Sequence, residues 1–108
     1  MRMKMKPLKF VASSLDDLRN FPDEARRAAG FKLHAAQSGL ELGDWKPMQI
    51  VGAGVKEIRI HMLGEWRVIY VAKLHDAVYV LHAFKKKTRK TSRQDIDLAR
   101  QRYKQIGG

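Results

Sequence analysis

The sequence predicts one α+β domain over residues 1–108, ordered as a strand, a helix hairpin, a three-strand antiparallel meander and a C-terminal helix. Three observations predict it. Apolar residues recur at spacings of three and four through Ala25, Ala29, Leu33 and Ala36, then at a spacing of two from Ile58 onward. The β-rich runs Trp66–Lys73 and Ala77–Phe84 follow the alternating run at Ile58 through hairpin-sized linkers. The last run gives way to a helix-start signature and a further apolar stripe at helical spacing, so helices are laid on a small sheet. A chain of 108 residues suits one domain and is too short for two, and 44% apolar residues sustain a modest core.

The first strand is the apolar run Pro7–Ser13. Ser14-Leu15-Asp16-Asp17 has the pattern of a capping box and opens a short helix with Leu15 and Leu18 inward, ending near Asn20. Pro22 suits the first position of a second helix, and Asp23 and Glu24 suit its positive end. Gly30 weakens that helix by about 1 kcal/mol relative to Ala, and Ser38-Gly39 ends it. With so few residues between them, the two helices should form a hairpin. From Leu40 to Gly54 the glycines and Pro47 read as loop and irregular strand. The final helix starts at the capping box Ser92-Arg93-Gln94-Asp95, docks through Ile96, Ala99, Tyr103 and Ile106, and ends at Gly107-Gly108. The run Ala77–Phe84 is apolar on both faces, which marks a central strand.

The turn near Gly64 decides which side chains share a sheet face, because a slip of one residue exchanges the faces. A two-residue turn opposes Met62 and Arg67. A three-residue turn, Leu63-Gly64-Glu65, opposes Met62 and Trp66 and segregates the residues better. Ile58, Ile60, Met62, Trp66, Val68 and Tyr70 then form one face, and Arg59, His61 and Arg67 gather on the other. At the end of the neighbouring strand stand five cations in six residues: Lys85, Lys86, Lys87, Arg89 and Lys90. Like charges repel, so the cluster is either a solvated strand end or a site for a polyanion.

Net charge is +11, from 22 Lys and Arg against 11 Asp and Glu, which attracts nucleic acid, anionic membrane or an acidic protein. The segment from Lys85 to Lys104 holds nine of the 22 basic residues and only Asp95 and Asp97 as acids, as a concentrated binding surface requires. Without cysteine there is no disulfide framework and no thiolate metal site, in keeping with a cytoplasmic protein. No apolar run approaches the roughly 20 residues that span a bilayer. The start, "MRMKMKPLKF", lacks the apolar stretch of a secretory signal; Met3 and Met5 are alternative starts, and the first residues should fray.

The segments "EIRIHMLGEWRVIYVAK" and "VYVLHAFKKKTRKTSRQDIDLARQRYKQI", with the hairpin "FPDEARRAAGFKLHAAQSG", resemble the RelE/ParE toxin superfamily in its HigB-like, phage-associated branch. The resemblance covers nearly the whole chain. It implies a toxin of a type II toxin–antitoxin system: a ribosome-dependent endoribonuclease, needing no cofactor, that cleaves mRNA by attack of the 2′-oxygen. It also implies a cognate antitoxin, often a helix-turn-helix protein. The family's strand cations fall on Arg59 and Arg67, and its late basic position on Lys86 or Lys87. Several relatives carry a tyrosine after the last strand. Thr88 to Gln94 holds no aromatic here, and the resemblance leaves the proton-handling residue open.

In this reading the scissile phosphate lies between Lys85–Lys87 and Arg67, Arg67 clamps it with Arg59 as the second strand cation, Lys86 or Lys87 handles a proton, and His82 competes for that role because its ordinary pKa is near ~6.5. Lys85, Arg89, Lys90 and His61 bind RNA. Each residue also has a plainer reading. Arg59 and Arg67 satisfy strand alternation, and His82 in an apolar run is commonly a hydrogen-bonded core histidine. His34 and His75 are polar helix and turn residues. Trp66, Tyr70 and Phe84 read as core rather than as stacking platforms, and Glu57 as a charge balance among cations. No spacing resembles a metal site. Two other functions remain in play: a gyrase-directed toxin of the same fold, and a basic protein that binds RNA without cutting it.

Overall fold

The computed structural model describes residues 5–72 and 76–107. The expectations for Met3, for the turn at Leu74 and His75, for Lys73 as a strand end and for Gly108 lie outside the described residues. The elements are β1 (Leu8–Phe10), α1 (Ser14–Arg19), α2 (Asp23–Gln37), β2 (Trp45–Pro47), β3 (Val55–His61), β4 (Glu65–Val71), β5 (Val78–Lys85) and α3 (Arg93–Gln105). The predicted α+β order is therefore the one observed, with one addition. Trp45–Pro47, inside the stretch read as irregular, forms the edge strand β2. The sheet runs β1-β5-β4-β3-β2, with β1 parallel to β5 and every other pair antiparallel.

The sheet has a core on each face. On one face Leu18, Phe21, Ala25, Ala29, Leu33 and Ala36 of the helix hairpin pack on Ile58, Ile60, Val68, Tyr70, Val78 and Val80. On the other, Ala99 of α3 and Met48 and Val51 pack on Val55, Ile69, Val71 and Leu81, with Ile96, Tyr103 and Ile106 joining from α3. β5 lies between β1 and β4 and is covered on both faces, which is why its sequence is apolar throughout.

The β3–β4 register differs from the expected one in an instructive way. Ile60 opposes Trp66 and His61 opposes Glu65, so the three-residue loop is Met62-Leu63-Gly64. Leu63 (φ 55°) and Gly64 (φ 123°) both turn through the left-handed region, and Trp66 Nε1 donates to Met62 O at 3.0 Å across the loop. Met62 leaves the apolar face and is 43% exposed. Each strand has moved by one residue, so the pairing changes by two and parity is kept. Arg59 and Arg67 stay on the face away from the hairpin helices, and the shift makes them direct cross-strand partners where the expected register opposed Arg67 to His61.

β4 and β5 pair through a bulge. Ile69 opposes His82, Tyr70 opposes Val80, and Leu81 is the extra residue. Leu81 joins the core under α3, and His82 hydrogen-bonds to Asp95 of α3.

The helix starts correct one expectation and uphold another. Ser14 does not cap α1. It is the first helical residue, and its buried hydroxyl donates to Val80 O at 3.0 Å, fixing the helix to β5. Ser92 does cap α3: its extended backbone lets Oγ accept from Asp95 N at 3.1 Å. Among the described residues no helix is long and apolar enough to cross a membrane.

Candidate nucleic-acid interface

The site grows from strand alternation. Every second residue of β3 and β4 faces away from the helix hairpin, and near the Met62–Gly64 turn those residues are Glu57, Arg59 and Arg67. Glu57 is 1% exposed. Its Oε2 accepts a 2.6 Å hydrogen bond from the Thr91 hydroxyl on the β5–α3 loop. Its Oε1 faces three cations: Lys46 Nζ at 3.9 Å, Arg59 Nε at 3.9 Å and Arg67 Nε at 3.8 Å. Lys46 arrives from β2, where it pairs directly with Glu57. One buried carboxylate thus gathers three cations that would otherwise repel each other.

The cations differ in how far they are committed. Arg67 is 3% exposed and donates to Trp66 O at 2.9 Å and to Glu65 Oε1 at 3.2 Å. Arg59 is 30% exposed and has only long ion pairs, to Glu57 and to Asp44 Oδ1, both at 3.9 Å. Among the described residues its guanidinium makes no hydrogen bond, and its Nε is buried with only the long ion pair to Glu57. Lys86, half-buried just beyond β5, has its pKa lowered by burial first and then by the charges of Arg67 and Arg59. Its backbone N–H donates to Glu65 O at 2.8 Å, which holds it beside β4.

His61 closes the cluster at the strand end. Nδ1 lies 2.8 Å from the Glu65 carboxylate and Nε2 lies 2.8 Å from Asp44 Oδ2. The Asp44 hydrogen bond, then the one from Glu65, raises its pKa, and the same contacts lower those of both carboxyls. Glu65 therefore bridges His61 to Arg67, and Asp44 joins His61 to Arg59.

The structure brings together Arg59, Arg67, Lys86 and His61 and separates the other predicted residues. Lys85 faces the opposite side of the sheet, where its Nζ lies 5.6 Å from the Trp66 ring centre, because it is the cross-strand partner of Trp66. It does not belong to the cationic face. His82 is 6% exposed, hydrogen-bonds through Nε2 to Asp95 Oδ1 at 2.7 Å and stacks on Phe84. Burial, first among its influences, lowers its pKa, and the charges that bear on it are Asp95, Arg102 and Asp17 rather than the site cations. The plainer reading, a hydrogen-bonded core histidine, is the observed one. Lys87, Arg89 and Lys90 are exposed on the β5–α3 loop. The basic segment is also less uniform than its composition implied. Arg102 is 6% exposed and ties α3 to Leu81 O and Ser13 Oγ, at 2.9 and 2.8 Å.

Sequence reasoning does not reach Lys46 or Thr91. Lys46 sits on a three-residue edge strand too short to show alternation, and Thr91 reads as loop. Glu57 as the charge balance of the cationic face was legible from its place two residues before Arg59.

Fold and site together define a small basic α+β protein whose sheet exposes a guanidinium and an ammonium over a buried carboxylate, a surface suited to phosphate. Residues 16–104 match the family described as phage derived protein Gp49-like (DUF891), and the chain belongs to that family, a toxin-like family of RelE/HigB type. The match runs from α1 almost to the end of α3. No curated protein matches the chain.

Proposed function

We propose that the chain is the HigB-like toxin of a type II toxin–antitoxin pair and cleaves mRNA on the ribosome without a metal ion. The observation that carries this reading is the Arg59 guanidinium, partly exposed, free of short hydrogen bonds, and grouped with Lys86 over the Glu57–Arg67 pair. A planar fork of N–H donors is the group that grips a phosphate by two parallel bonds. Arg67 lies beneath and contributes its field rather than a contact.

In this mechanism the scissile phosphate sits between Arg59 and Lys86. The ribose 2′-oxygen attacks phosphorus in line, the bond to the 5′-oxygen breaks, and the products are a 2′,3′-cyclic phosphate and a 5′-hydroxyl. Lys86 takes the 2′ proton; burial and the charges of Arg67 and Arg59 lower its pKa, which shifts it in the direction a base needs. His61, whose pKa is raised by its hydrogen bonds to Asp44 and Glu65, returns a proton to the departing 5′-oxygen. Charge building on the phosphate is stabilised by cations already in place. A cationic face also favours an acidic antitoxin segment as the masking partner.

Controlled expression in bacteria, with primer-extension mapping of transcripts, tests the proposal. The expected result is growth arrest with cut transcripts, relieved by the product of a neighbouring antitoxin gene. Arg59→Ala and Lys86→Ala should each slow cleavage by roughly 10²–10³, and the cut transcripts should end in a 2′,3′-cyclic phosphate rather than the 3′-hydroxyl left by attack of a metal-activated water. Growth arrest with intact transcripts, or cleavage that needs added metal, would refute it.

A further inference from the structure

On the face of the sheet opposite the cationic cluster, a pocket of about 340 Å³ lies between the end of α2 and the strands β3 and β4. Its apolar lining is Ala36, Gly39, Leu40, Gly54 and Ala72, and its polar lining is Glu41, Lys56 and Tyr70. The volume falls in the range of about 300–1,000 Å³ that takes small organic molecules. The hollow follows from the sequence. Where α2 ends, Ala36 and Gly39 have no side chain long enough to fill the space beside Tyr70. The segment before β1 ties the two sides of the pocket together. Lys6 N–H donates to Gln37 O at 3.0 Å, Gln37 Nε2 donates to Lys6 O at 2.7 Å, and Lys6 Nζ donates to Ala72 O at 2.7 Å.

Lys56 and Tyr70 are direct cross-strand partners, so their side chains rise side by side from β3 and β4. Tyr70 is 2% exposed, and among the described residues its hydroxyl makes no hydrogen bond. A buried tyrosine whose hydroxyl lacks a partner is costly, which marks a place for a further polar group. Lys56 Nζ pairs with Glu41 and lies 5.0 Å from the centre of the Trp45 ring. Glu41 reaches it from the loop after α2 and uses only part of the capacity of an ammonium, which has three donors. Burial lowers the pKa of Lys56 and raises that of Tyr70, so both groups are short of water.

We infer that this pocket binds a small apolar monocarboxylate, with its carboxylate between the Tyr70 hydroxyl and the Lys56 ammonium and its apolar body against Ala36, Leu40 and Ala72. Both polar groups can donate, and a carboxylate offers two acceptor oxygens, one for each. Hydrogen bonds to an ionised acceptor are the strong ones, the more so where water is scarce. The net charge of +11 favours an anion over a neutral ligand. Glu41 competes with the ligand for Lys56. The site is independent of the proposed nuclease: it lies on the other side of the sheet from Arg59, and no step of its chemistry involves RNA.

Titration of the 15N-labelled full chain with 3-phenylpropionate, followed through backbone amide shifts, tests the site. Shifts should gather at Ala36, Leu40, Lys56, Tyr70 and Ala72 and saturate with a Kd of about 1 mM or below. The uncharged 3-phenylpropanamide has the same shape and should bind roughly tenfold or more weakly. Tyr70→Phe removes only a hydroxyl that makes no hydrogen bond among the described residues, so the fold is kept, and binding should weaken by roughly tenfold. Lys56→Met keeps the length of the side chain and should weaken binding at least as much. Glu41→Gln should tighten it, because the competing carboxylate is gone. Shifts confined to Arg59, Lys86 and the β5–α3 loop would put the acid on the cationic face and overturn the inference. So would an amide that binds as tightly as the acid, an affinity unchanged in Tyr70→Phe, or no saturable shift by about 10 mM.

Discussion

At the scale of single residues, burial separates two arginines that the sequence treats as equals. Arg67→Ala removes a buried partner of Glu57 and should cost about 3–5 kcal/mol of stability, whereas Arg59→Ala should change stability by about 1 kcal/mol or less because Arg59 is 30% exposed and only loosely paired. Urea unfolding of the two variants checks the contrast, and equal losses would place Arg67 outside the supporting role. The two histidines should respond to pH with opposite signs. His82 has its folded pKa below the ordinary 6.5, so the unfolded chain binds the proton first and stability falls as pH drops through that value. His61 has its folded pKa above 6.5, so its contribution is complete below 6.5 and is lost as pH rises through the folded pKa. Unfolding midpoints between about pH 5 and 8 should therefore lose their acid slope in His82→Gln and their alkaline slope in His61→Gln. A wild-type profile reproduced by both variants would contradict the assignment.

At the scale of elements, faces were easier to read than registers. The parity of β3 and β4 depends only on alternation, so Arg59 and Arg67 could be placed on one face although the turn lies one residue earlier than expected. The bulge at Leu81 left no mark in an uninterrupted apolar run, so His82 could be read as a core histidine but its partner on α3 could not. The Ser92 cap and the stripe Ile96, Ala99, Tyr103 were legible because each repeats a local rule. What α3 packs against was not, since Gly52 and Ala53 belong to a loop with no period of its own. A Cβ at Gly52 would lie 2.4 Å from Tyr103 Cε2, and the Tyr103 hydroxyl donates to Ala53 O at 3.0 Å. Gly52→Ala must push the ring away and should cost about 1–3 kcal/mol. The penalty should largely vanish in a Tyr103→Ala background, as a double-mutant cycle of thermal unfolding would show. An undiminished penalty there would mean that the glycine is needed for its backbone alone.

At the scale of the molecule, the charge of +11 is distributed with more structure than the sequence suggested. Arg102 works inside the fold and Lys85 packs on Trp66 on the far face, while Lys46, distant in sequence, joins the cluster at Glu57. Under the proposed function, the surface offered to a polyanion is Lys46, Arg59 and Lys86, with Lys87, Arg89 and Lys90 exposed on the β5–α3 loop. Each phosphate neutralised on a single strand releases counterions, so the logarithm of affinity should fall with the logarithm of salt by about 0.7 per contact. Replacing Lys86 and Lys87 together by alanine should lower that slope by about 1.4, whereas Lys85→Ala should leave it unchanged because that ammonium lies over Trp66. Fluorescence anisotropy with a labelled RNA across a salt series measures the slopes. Equal reductions from Lys85→Ala and from either loop lysine would show that position in the fold is irrelevant and that total charge alone drives binding. A reduction confined to Lys86 and Lys87 would place the RNA backbone on the face that carries Glu57 and Arg59.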